Sequence, residues 1–141
     1  MAMLLNRKAL LTKEKLEVEK VDLGKDEYVY VRQMTGRERD TFEASLIKEV
    51  KEENGGLSYK TSSEDFRAKL AVCTLCDENG VALLEPGDFP ELSQSMSAAR
   101  LERIVEVAQR LNKVTEAAKE AIVKNLNADQ VGNSSSDSVN N

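Results

Sequence analysis

The sequence predicts an α+β fold that is mostly α-helical, an N-terminal β-hairpin followed by a compact bundle of about four helices. Three observations predict it. Tyr28-Val29-Tyr30-Val31 is wholly aromatic or β-branched, the composition that strands favour. After residue 35, apolar residues recur at helical spacing in four separate segments. The chain has 141 residues, which suits one domain around one core.

Taken in order, residues 1–14 read as a flexible start with one helical turn, Asn6 capping Arg7-Lys8-Ala9-Leu10-Leu11. Leu16 and Val18 share a strand face, and Val21 and Leu23 continue the alternation one register out. A bulge or strand end is therefore expected at Glu19-Lys20. Gly24-Lys25-Asp26-Glu27 is the turn into the second strand. A two-stranded hairpin is marginal alone, so it must lean on helices or on another subunit.

Thr35-Gly36-Arg37-Glu38 has the form of a capping box, in which the hydroxyl takes an amide and Glu38 reaches back. Phe42, Leu46, Ile47 and Val50 extend that helix to Asn54-Gly55-Gly56, where glycine supplies a left-handed end. Residues 57–63 read as a polar loop. The next helix starts near Ser62 or Ser63, with Phe66, Leu70 and Cys73 on its apolar face. Val81-Ala82-Leu83-Leu84 is a strand or an extended connection, and Pro86 and Pro90 break regular structure after it.

Ser95 or Ser97 opens the strongest helix, with Leu101, Ile104, Val105, Ala108 and Leu111 on one face. After an Asn112-Lys113 joint, Thr115 caps a last helix holding Ala118, Ala121, Ile122 and Leu126. Residues 15–127 are read as one domain. Residues 128–141, rich in Asn and Ser, are read as a disordered tail.

Composition excludes several classes. There is no His, so His-based catalysis is absent and the commonest metal ligand is missing. Twenty bases against 25 acids leave a net charge of −5, which argues against a nucleic-acid binder. No stretch approaches the ~20 apolar residues of a membrane span, and the apolar residues 1–5 are too short for a signal-peptide core. Two cysteines without an export signal point to a reducing compartment.

The chemical motifs reduce to plain readings. Cys73-Thr74-Leu75-Cys76 is a C-x-x-C, but it closes a helix rather than opening one and has no further zinc ligands. Two core-facing thiols are the better reading. Asp77-Glu78-Asn79-Gly80 puts its glycine too early for a calcium loop and reads as a turn. Glu85, Asp88 and Glu91 form a solvated acidic loop without a nucleophile. Arg32, Arg37 and Arg39 bracket the strand-to-helix junction and pair locally with Glu38, Asp40 and Glu43 in the favoured reading. Tyr28 and Tyr30 share a face opposite Val29 and Val31, either as a partly apolar interface or as part of a two-sided core. No catalytic residue, cofactor or metal is expected, and by exclusion the chain binds protein.

One family fits this outline. Val29, Val31, Arg32, Met34, Thr35, Gly36, Glu38, Arg39, Phe42 and Glu43 together resemble the strand-into-helix signature of tail assembly chaperones of long-tailed bacteriophages. Later pieces are similar in order. They are a helix ending near Cys76, a turn at Asp77 to Gly80, an acidic segment around Asp88-Phe89, and a helix through Arg100-Leu101-Glu102-Arg103-Ile104 to Arg110-Leu111-Asn112. The likeness spans roughly residues 4–126 and is one of pattern, not of chemistry.

The resemblance implies a protein that coats the tape-measure protein, keeps it soluble and helps recruit tail tube subunits. It implies self-association into oligomers or spirals, residence in the host cytoplasm and absence from the mature virion. A longer frameshifted product is common in such families. The alternative within the same setting is a structural virion part, such as a minor tail or head-tail completion protein. A thiol-based redox enzyme and a DNA-binding regulator rank below both. The residues singled out for protein contacts are Tyr28, Tyr30, Arg32, Arg39, Leu101, Ile104 and Val105. No nucleic-acid or membrane partner is expected.

Overall fold

A computed structural model describes residues 1–61 and 64–114. The expected last helix and the Asn/Ser-rich tail lie outside the described residues, as do Ser62 and Ser63.

The described chain is mixed α/β, which corrects the expectation of a hairpin leading into a four-helix bundle. Five α-helices alternate with five strands in two small sheets. Helix α1 is Arg7–Leu11, with Asn6 Oδ1 accepting from Ala9 N at 2.9 Å. Strands β1 (Val18–Gly24) and β2 (Glu27–Arg32) pair antiparallel across a two-residue turn. Lys25 and Asp26 both hold positive φ there, the geometry that matches the twist of a tight hairpin.

The ladder runs unbroken from Val18↔Arg32 to Asp22↔Tyr28, so no bulge falls at Glu19-Lys20. The irregularity sits at Leu23 instead. Val18 simply faces the side opposite Val21 and Leu23, because both sheet faces carry apolar residues.

Helix α2 (Gly36–Ser45) carries the full capping box expected from Thr35 and Glu38. It ends nine residues earlier than the spacing suggests. Residues 47–61 form a second hairpin of β3 (Ile47–Lys51) and β4 (Leu57–Thr61). The supposed helix stop is its turn, with Glu52 N donating to Gly56 O at 2.7 Å and Gly55 at φ +87°. A left-handed glycine serves a hairpin turn as well as a helix end.

Helix α3 (Phe66–Thr74) runs into β5 (Leu75–Cys76), which pairs with β2 and gives a sheet of order β1-β2-β5. Ala82 bridges Cys76, so residues 81–83 extend that sheet irregularly. Pro86 and Pro90 do not abolish structure. They sit in the first turns of a 3-10 turn (Pro86–Asp88) and of α4 (Phe89–Ser95), where a missing N–H costs nothing. Helix α5 (Ala98–Asn112) starts from a Ser97 cap and stops at Lys113, in the left-handed region.

One core lies between the inner sheet face and α2, α3 and α5. Val21, Val31 and Leu75 meet Phe42, Leu70, Ile104 and Ala108 there. The Phe42 and Phe66 rings pack 5.8 Å apart and tilted. The arginines of α5 reach over the free edge of β1: Arg100 Nε donates to Leu23 O and Arg103 Nη1 to Asp22 O, both at 3.2 Å. Arg100 pairs with Glu27, and Arg110 with Glu19. Charged side chains on an edge discourage further strand pairing.

Ile104 is fully buried, whereas Leu57 in the second hairpin is half exposed. Ile104→Ala is expected to lower the unfolding free energy by about 2–5 kcal/mol in urea titrations. Leu57→Ala should change it by no more than about 0.5 kcal/mol. Equal effects would show that the core has been drawn in the wrong place.

Candidate functional site

The outer face of the three-stranded sheet carries the most distinctive surface. Strand β2 directs Val29 and Val31 into the core and Tyr28, Tyr30 and Arg32 the other way. Tyr28 is 52% exposed and meets Tyr30 edge-on at 5.7 Å. Lys20, from the neighbouring strand, places its ammonium 4.2 Å from the Tyr28 ring centroid, a cation–π contact.

Arg32 ends the same row but is only 4% exposed. Its guanidinium forks onto Glu38, with Nη1 to Oε1 at 2.8 Å and Nη2 to Oε2 at 2.7 Å. Glu38 Oε1 also accepts from Thr35 N at 2.9 Å, so one carboxylate serves the arginine and the helix cap together. The Arg32 hydrogen bond, helped by Thr35, holds the Glu38 carboxyl down at about 2. The same bond raises Arg32 against the opposing effect of burial.

Asn112, at the end of α5, closes the corner. Its Oδ1 accepts from Met34 N at 2.7 Å and its Nδ2 donates to Arg32 O at 3.3 Å. Arg39 donates to Asn112 O at 2.7 Å and pairs with Glu43 at 2.8 Å. The local pairing expected of Arg32 and Arg39 is therefore present.

Beside this corner runs an open groove of about 1080 Å³. Leu16, Val18, Tyr30, Val81, Ala82 and Leu111 supply its apolar lining. Of the contact residues chosen from sequence, Tyr30 and Arg32 line the groove and Tyr28 flanks Tyr30. Arg39 braces the corner. Leu101, Ile104 and Val105 are 6%, 0% and 2% exposed and pack within the core, so they present no surface to a partner. Sequence reading passed over Val81, Ala82 and Leu111 as groove residues. The available signal was Leu16 and Val18 standing out of phase with Val21 and Leu23.

The groove holds little catalytic chemistry. Burial pushes the Cys73 and Cys76 thiols up, although the Arg32 charge opposes it, and a reactive thiol needs the reverse. Asp77 Oδ1 is occupied by the amides of Asn79 and Val81, at 2.8 and 3.0 Å. Among the described residues no cluster of His, Cys, Asp or Glu is placed to hold a metal, and no helix is long and apolar enough to cross a membrane.

The sequence matches no family model, and no curated protein or solved structure proves significantly similar to it.

Glu38 is held below its ordinary value of 4.5, so its contribution to stability is complete above that value and is lost as pH falls from 4.5 towards 2. Glu38→Gln is expected to flatten the stability profile across that window. It should also cost roughly 3 kcal/mol near neutral pH, by leaving the buried Arg32 charge without its partner. Chemical denaturation of both proteins at stepped pH measures the two effects. Parallel profiles would show that the ion pair contributes nothing.

Proposed function

We propose that the chain is a tail assembly chaperone of a long-tailed bacteriophage, binding the tape-measure protein and helping to recruit tail tube subunits. The observation that carries this reading is the signature within residues 28–43. Its residues are consecutive parts of one unit here: β2, the Thr35 cap, α2, and the Arg32–Glu38 fork between them. The turn at Asp77 to Gly80 and the long helix α5 follow in the order that the resemblance requires.

The physics suits the task. A tape-measure protein is long, helical and partly apolar, and it aggregates unless covered. An apolar groove with charged borders accepts an amphipathic segment. Many weakly bound copies along one chain hold it by avidity without any tight single contact. A net charge of −5 favours solubility of the loaded complex. Such a protein acts in the host cytoplasm and leaves before the virion is complete.

Co-expression with the tape-measure protein encoded nearby tests the reading. The expected result is a soluble complex with several copies of this chain per tape-measure chain, by size-exclusion chromatography with light scattering. Purified particles should lack the chain by mass spectrometry. Insoluble tape-measure protein, together with the chain found in particles, would identify a structural virion part instead.

A further inference from the structure

Residues 1–11 form an apolar arm. Met1, Met3, Leu4, Leu5, Leu10 and Leu11 are all exposed, and α1 has no buried residue. These side chains are adjacent in sequence, and exposed apolar clusters of this kind mark a contact. The arm contains Arg7 and Lys8 and no acid.

The groove on the outer sheet face is its complement. Its floor is apolar along Leu16, Val18 and Val81. Of the charges on its border, Arg32 is matched by Glu38 and Glu19 by Arg110. That leaves Glu14, Glu17 and Glu78 against Lys13 and Lys15, an acidic excess facing a basic arm.

The groove wall begins at Lys13, and only Thr12 separates it from the end of α1. Thr12 is extended, at φ −79° and ψ 137°, and residues 6–17 contain no Gly or Pro to reverse the chain. An arm folding back onto its own groove would have to turn within the wall itself. The geometry points to a second copy of this chain as the occupant: the arm of residues 1–11 seats in the outer-face groove of the next molecule, head to tail. Such a contact is heterologous, so it propagates until it closes into a ring or continues as an open assembly.

This inference uses only the arm and the groove and does not rest on the chaperone reading. It is tested on the full chain by light scattering at rising concentration, with two variants checked for folding by circular dichroism. One variant carries Leu4→Glu, Leu5→Glu and Leu10→Glu in the arm. The other carries Leu16→Glu and Val81→Glu in the groove.

The parent is expected to grow beyond a dimer as concentration rises, while each variant alone stays monomeric. Mixed in equal amounts, the two variants should form a 1:1 heterodimer and nothing larger, since one retains only a working groove and the other only a working arm. Three results would overturn the proposal: a parent monomeric at all concentrations, an arm variant that associates like the parent, or a mixture that stays monomeric. Sedimentation of a monomeric parent with anionic lipid vesicles, lost in the arm variant, would reassign the arm to a membrane surface. An arm variant that still solubilises the tape-measure protein would leave the chaperone reading standing.

Discussion

A buried guanidinium with one matching carboxylate organises this molecule. Arg32 sits at the end of β2, almost out of water, and a charge in that position is tolerated only when it is paired and hydrogen-bonded. Glu38 meets it with both oxygens and at the same time caps its own helix. The direction of α2 relative to the sheet follows from that fork. Asn112 then ties the end of α5 to the backbone of the same junction, so strand, first long helix and last described helix share one corner. Loosening any of the three would expose polar groups that have no other partner within reach.

The two faces of the sheet have separate tasks as a result. The inner face is closed by α3 and α5, and its valines and leucines belong wholly to the core. The outer face keeps two tyrosines, a lysine over one of them, and a groove that runs to the Asp77 turn. Helix α5 contributes on both sides of its own axis. Its apolar stripe builds the core, and its arginines cap the carbonyls of β1 that would otherwise invite another strand.

This division accounts for the functional reading. The most strongly perturbed carboxyl is structural, and the two thiols are pushed away from reactivity by burial. What remains for function is surface: apolar patches with charged borders, of the kind that recognise a protein segment. A chaperone that covers an aggregation-prone helix needs that kind of surface and no reaction chemistry. The exposed arm adds a second patch of the same character, placed where it reaches a neighbouring copy.

Local chemistry was legible in the sequence. The first hairpin, the Thr35–Glu38 capping box, the Ser97 start of α5, its buried stripe and the Arg39–Glu43 pair all depend on residues close together in the chain, and each is where spacing predicts it. The second hairpin was not legible. Leu46, Ile47 and Val50 suit a helix face as well as a short strand, and Asn54-Gly55-Gly56 suits a helix end as well as a turn. Only pairing with Leu57–Thr61 decides between them. Likewise, helical spacing marks Leu101, Ile104 and Val105 as apolar but cannot say what they face. The core claims them because the sheet and α3 already stand there. The groove draws on residues 16, 30, 81 and 111, which meet only when Arg32 has set α2 and α5 against the sheet. Periodicity and capping are properties of neighbours in sequence, whereas which apolar faces are buried and which are left open is settled by contacts between residues far apart in it.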